Sequence, residues 1–200
     1  MSFSHVVRGS IFILFFGTGV SGIGMLTVYS LRPGANGNVS IDSVRQEMQR
    51  VGAVCATRPS VVVFYHPRCS CTTSSVRMLE RLTSCCRPSP QITGYAFCPL
   101  SESDKWIDTP LTRKIRSLPR SRVIVDRGGA VCDRTGVSVS GHVLVIDTLG
   151  NVSFSGGITP SRAHEGDSAA GAQFERCLNR PCAYSAWPVF GCHINDIREG

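Results

Sequence analysis

Two cysteines, Cys69 and Cys71, stand one residue apart in the run Tyr65-His66-Pro67-Arg68-Cys69-Ser70-Cys71-Thr72-Thr73. The run lies between a β-branched stretch, Ser60 to Tyr65, and a stretch with helical periodicity, Thr72 to Thr83. A thiol at the start of a helix meets unpaired backbone N–H groups that favour its thiolate. Arg68 adds a positive charge beside it. Both effects lower a thiol pKa and make it a nucleophile. On this reading Cys69 attacks a disulfide and Cys71 resolves the mixed disulfide. His66, at the mouth of the strand, reads as a rim histidine or a general base.

The spacing carries a restriction. In a regular helix, residues two apart point about 200° away from each other. A Cys69–Cys71 bond would therefore need both residues outside the helix.

The elements that must position these thiols follow a recognisable order. Ser40 to Val51 reads as an amphipathic helix and Ser60 to Tyr65 as a buried central strand. Thr72 to Thr83 is the next helix, and Ile92 to Phe97 the next strand. Thr109 to Ser117 starts Thr-Pro and stops before Pro119, as helices do. Ser121 to Val125 is a short strand, and Gly128 to Arg134 one or two helical turns. His142 to Asp147 and Val152 to Ser155 form a hairpin, and Ser168 to Leu178 a last helix. Alternation that gives way to a hairpin predicts an α/β domain with a mixed sheet.

The strand–thiol–helix segment resembles the active site of the thioredoxin superfamily, with Val62-Val63-Phe64-Tyr65 as the first central strand and Cys69 as the nucleophile. A second stretch, Thr135-Gly136-Val137 through Val143-Leu144-Val145-Ile146-Asp147 to Gly150-Asn151-Val152, is similar to the redoxin pattern. The resemblance covers roughly residues 40–180. More narrowly, His66 to Ser74 with Ser155-Gly156-Gly157-Ile158-Thr159 and His164-Glu165-Gly166-Asp167 resembles bacterial membrane-anchored RedB-like proteins. The thioredoxin-superfamily resemblance implies a three-layer α/β/α fold and a thiol–disulfide oxidoreductase acting on protein thiols and disulfides, without a cofactor.

Two departures from the superfamily stand out. The motif is Cys-x-Cys, with Thr72 at the usual resolving position, and Gly141-His142 stands where the family has its cis-proline. Gly141 leaves room for a substrate backbone. By the same alignment His142 faces Cys69 and Cys71. Two thiolates and an imidazole would suit Cu(I) or Zn, so a copper- or zinc-binding module is the alternative. A redox-inert, partner-binding scaffold is the third reading. Arg162, His164 and Asp167 precede the last helix, either as a capped loop or as further support to the site. Cys177 and Cys182 are close enough in sequence for a local disulfide, and Cys192 becomes a third redox partner if the tail folds back.

Between Arg8 and Arg32 lies an uncharged segment, Gly9 to Leu31, with the core Ile11-Phe12-Ile13-Leu14-Phe15-Phe16. As a helix it would be about 35 Å long, enough to span a bilayer. It is longer than the apolar stretch of a secretory signal, and Tyr29-Ser30-Leu31 is not an A-x-A-like cleavage site. The expectation is a single-pass anchor in a bacterial inner membrane, with the soluble part on the periplasmic side. The organisation expected is a cytoplasmic tip and anchor over 1–31, a linker over 32–40, a thioredoxin-like domain over 41–180 and a tail over 181–200.

The 200 residues carry 21 Lys+Arg against 14 Asp+Glu, yet the basic residues are scattered. The densest stretch, Arg113 to Arg122, has no interleaved aromatics, so no nucleic-acid partner is expected. Ten cysteines fall short of a disulfide scaffold at this length. No phosphate-binding glycine loop and no G-x-S-x-G elbow is present, which leaves nucleotide binding and serine hydrolysis without support.

Overall fold

The structure, a computed structural model, describes residues 3–35 and 37–194. The first two residues of the expected tip, Asn36 of the linker and residues 195–200 of the tail lie outside the described residues. The chain divides after Arg32 into two units.

The first unit is one helix, α1 (Phe3–Leu31). Its stretch Ile11–Leu31 is long and apolar enough to cross a membrane, and its apolar side chains from Ile11 to Leu31 are exposed. Thr18 and Thr27 turn their hydroxyls back onto the carbonyls of Leu14 and Ile23, at 2.9 and 2.8 Å. Their polar groups are thus satisfied within the helix, as a hydrocarbon environment requires.

The second unit is built on β1 (Ser60–Tyr65), buried at every position because it sits centrally and is covered on both faces. β2 (Gln91–Cys98) and β3 (Ser121–Arg127) follow in parallel on one side. β4 (His142–Ile146) pairs antiparallel with β1 on the other, and β5 (Val152–Gly156) antiparallel with β4. A two-residue strand, β6 (Ser185–Ala186), closes the edge parallel to β5. The order is β3-β2-β1-β4-β5-β6, a mixed sheet.

Alternate residues of β1 feed two cores. Val61, Val63 and Tyr65 pack with Val76 and Leu79 of α3 (Ser70–Ser84), Ile115 of α4 (Pro110–Arg116) and Phe174 of α6 (Ala169–Asn179). Val62 and Phe64 pack with Val44 and Met48 of α2 (Ile41–Arg50) and Val131 of α5 (Ala130–Thr135). The three layers follow from this period-two division of one apolar strand. Caps set the helix starts. Ser40, Thr109 and Ser168 each accept an amide hydrogen bond from the first turn, worth about 1 kcal/mol apiece.

The C-terminal stretch does more than trail from the domain. Besides β6, residues 187–194 form a strap over the site end of the sheet. The amides of Trp187 and Gly157 donate to Ser155 and Pro188 carbonyls, and Gly34 of the linker donates to Val189. The linker is likewise tied down, Gly37 N–H to Ser138 Oγ at 2.8 Å and Ser40 N–H to the Thr135 carbonyl at 2.9 Å.

Candidate active site

The chain leaves β1 at Tyr65, turns through His66, Pro67 and Arg68, and enters α3 with Cys69 as the extended N-cap residue. The turn is closed by the Cys69 amide bonding the His66 carbonyl at 3.0 Å. Thr109, the cap of α4, donates its hydroxyl to the Pro67 carbonyl at 3.0 Å and fixes the loop from the other side. Cys71 is different in kind. It lies inside the first turn of α3 and is half-buried, whereas Cys69 is 3% exposed.

His66 is not at the rim. It is fully buried, stacked on Phe97 at 5.5 Å and edge-on to Trp106 at 5.2 Å. Its Nδ1 accepts the Arg68 amide at 3.1 Å, and its own amide donates to Ser140 Oγ at 2.9 Å. These contacts make it a positioning residue for the loop. Arg68 places its guanidinium over Trp106, 4.6 Å from the ring centroid. The expectation that Arg68 activates the thiol needs correction, because the groups that hold Cys69 as thiolate are others.

Cys69 is held well below the ordinary thiol range, first by the Cys192 side chain and then by Thr72, against the opposing effect of burial. The Cys192 and Thr72 side chains lower the thiol pKa most, with smaller contributions from the backbone of both residues. Thr72 is itself oriented by Ser140, whose Oγ lies 2.7 Å from Thr72 Oγ1. Because Ser140 Oγ already accepts the His66 amide, its hydrogen is free to turn to Thr72 and the Thr72 hydrogen to Cys69. Cys192 moves the opposite way. The Cys69 thiolate, then burial, then the charge at Cys69 and Cys71 push its thiol far up.

Gly141 stands at the turn into β4. Its φ of +90° is a conformation that side chains rarely adopt. A Cβ there would also meet Ser75 Oγ at 3.0 Å. Its amide donates to the Phe64 carbonyl at 2.8 Å, which closes this loop onto the end of β1.

His142 does not join the cysteines. It is 5% exposed, with Nε2 at 2.9 Å from Ser155 Oγ, and borders a cleft lined by Asn38, Val39, Tyr184 and Trp187. Burial alone holds its pKa down at about 4, so the imidazole is neutral at physiological pH. The third ligand-type atom beside Cys69 and Cys71 is instead the Cys192 sulfur. All three Sγ atoms lie within 4.8 Å of one another. A metal set of Cys69, Cys71 and His142 is therefore replaced by one of three thiols, a donor set that fits a soft ion such as Cu(I).

Arg162, His164 and Asp167 separate. Arg162 donates from Nη1 to the Gly191 carbonyl at 2.5 Å and so clamps the strap next to Cys192. His164 Nδ1 lies 2.7 Å from the Arg162 carbonyl and shapes that loop. Asp167 pairs with Arg81 at 2.7 Å and Glu165 with Arg77 at 2.9 Å, both exposed pairs onto α3. Sequence reasoning missed Thr72 as a hydrogen-bond donor to Cys69 and Ser140 as its orienter. Cys177 and Cys182 are neighbours, with burial and Cys182 raising the Cys177 thiol to about 12.

No family model and no curated protein matches the chain. Solved structures do. An uncharacterized conserved protein from Geobacillus kaustophilus is 15% identical with a TM-score of 0.53, covering 72% of this chain and 79% of that one. A hypothetical protein from Sinorhizobium meliloti 1021 is 12% identical with a TM-score of 0.53, covering 83% and 95%. A secreted Mycobacterium tuberculosis disulfide oxidoreductase homologous to Escherichia coli DsbE is 12% identical with a TM-score of 0.41, covering 64% and 84%. With its mixed sheet and a thiol at the first strand–helix junction, the chain has a thioredoxin-like α/β fold, preceded by one apolar helix of membrane-spanning length.

Proposed function

We propose that the protein is a membrane-tethered thiol–disulfide oxidoreductase with Cys69 as its nucleophile. The observation that carries this is a buried thiol at the N-cap of α3 with two further cysteine sulfurs within 4.8 Å of it. Cys192 and Thr72 hold its pKa below the ordinary thiol range, which favours the thiolate that attacks one sulfur of a substrate disulfide and releases the other as a thiol. Protein disulfides are the substrate class, and α1 is the tether that keeps the domain at a membrane surface. An oxidising compartment on the periplasmic side fits such substrates. Cys71 and Cys192 are both within reach to resolve the mixed disulfide. The test is turnover of a glutathionylated peptide by the detergent-solubilised chain. Wild type is expected to turn over and Cys69→Ser to be inactive. Equal rates for the two would refute the assignment.

A second reading rests on the three sulfurs within 4.8 Å. Thiolates of Cys69, Cys71 and Cys192 would hold a Cu(I) ion for delivery. It predicts one equivalent of copper bound per chain, lost in Cys71→Ser and retained in His142→Gln. A chain that takes up no Cu(I) under reducing conditions would reject it.

A further inference from the structure

We infer that Cys192, carried on the C-terminal strap, is the resolving thiol, and that the oxidised enzyme holds a Cys69–Cys192 disulfide. This rests on the oxidoreductase reading and names its second cysteine.

Three observations converge on it. The strap is docked by backbone bonds onto the loop beside Cys69. The Ser140 amide donates to the Cys192 carbonyl and the Ile194 amide to the Ser138 carbonyl, each at 2.8 Å, around an antiparallel bridge between Val139 and His193. The approach is tight by construction. A Cβ on Gly191 would stand 1.9 Å from the Ser140 carbonyl oxygen, so only glycine lets the strap lie this close. Arg162 holds the Gly191 carbonyl from the other side. The result is a Cys192 sulfur within 4.8 Å of the Cys69 sulfur.

Cys71 is placed worse for the same task. It sits in the first turn of α3 while Cys69 is the extended cap before it. A bond between them would demand that the helix start unwind, with loss of its backbone hydrogen bonds. Cys192 lies outside helix and sheet, so closing from thiol contact to a bond of about 2.05 Å needs only a shift of the strap.

The chemistry balances in two exchanges. The Cys69 thiolate attacks R–S–S–R′, forming Cys69–S–S–R and releasing R′–S⁻, which takes a proton. The Cys192 thiolate then attacks the Cys69 sulfur, forming the Cys69–Cys192 bond and releasing R–S⁻. The proton leaving Cys192 matches the one gained by R–S⁻. The substrate disulfide is reduced by two electrons and the protein dithiol oxidised by two; an external dithiol of the same chemical class restores it.

The test oxidises the full detergent-solubilised chain in a dithiothreitol redox buffer, traps free thiols by alkylation and maps tryptic peptides. A Cys69–Cys192 bond joins two peptides, since Arg77 and Arg176 lie between the cysteines, whereas a Cys69–Cys71 bond stays within one. The expected product is the joined pair. Cys192→Ser should lose turnover and accumulate Cys69 as a mixed disulfide, and Gly191→Ala should do the same by lifting the strap. A within-peptide Cys69–Cys71 bond, or a Cys192→Ser variant that still turns over, would overturn the inference while leaving Cys69 as nucleophile. Unchanged turnover in Cys69→Ser would instead overturn the reading on which it rests.

Discussion

His142 gives a stability effect with a sign and a size. Its ring is 5% exposed and burial alone lowers its pKa from 6.5 to about 4. At pH 7 the imidazole is neutral in both folded and unfolded chains and contributes nothing to the difference. Below 6.5 the unfolded chain takes up the proton and the folded chain does not until about pH 4. Stability is therefore lost as pH falls through that window and levels off below it. At 1.36 kcal/mol per pH unit the loss by pH 4 is about 3 kcal/mol. His142→Gln keeps a partner for Ser155 and cannot titrate. Urea unfolding of the reduced, detergent-solubilised chain at pH 7 and pH 4 should then show wild type losing about 3 kcal/mol more than the variant. With a slope of about 2 kcal/mol/M this is a midpoint shift of roughly 1.5 M. Other carboxylates titrate in the same range but cancel between the two proteins. Parallel losses in both would refute the claim that His142 is buried neutral.

Three further outcomes follow from named contacts. Thr72→Ala removes one hydroxyl donor to the Cys69 thiolate, a charge-assisted bond worth about 1.5–3 kcal/mol, so the alkylation pH profile of Cys69 should move up by about one to two units. An unmoved profile would assign Thr72 to packing alone. Glu47 is buried and pairs with Arg50 at 2.7 Å and Arg134 at 3.4 Å, while Tyr95 donates to it at 3.2 Å. Because both arginines are half-exposed, Glu47→Gln should cost only about 1–2 kcal/mol in urea unfolding, below the 3–5 of a fully buried pair. Deleting residues 1–32 should move the protein from the alkaline-extracted membrane pellet to the supernatant; a chain released equally with and without them would reject α1 as the anchor.

The parts of the fold written in local periodicity were legible. Ser60 to Tyr65 reads as a strand because the five β-branched or aromatic residues Val61 to Tyr65 fit only a position covered on both faces, and that is where β1 lies. The Thr-Pro start and Pro119 bracket α4 for equally local reasons. What depends on distant partners was not legible. Nothing near Arg68 in sequence says that its cation lies on Trp106 or that the Cys192 sulfur stands within 4.8 Å of Cys69. His142 was misplaced because alternation in a strand sends neighbours to opposite faces, and a slip of one position moves a side chain across the sheet. The strap was legible only as a condition, since a two-residue strand and a glycine fitted against Ser140 leave no periodic signal.

The most direct test of the central claim is the redox state of Cys69 in the full chain, titrated against dithiothreitol and followed by thiol trapping. A reversible two-electron transition that includes Cys69 and vanishes in Cys69→Ser is the predicted result. A Cys69 that stays a free thiol across the whole range would contradict the assignment of this site to thiol–disulfide exchange.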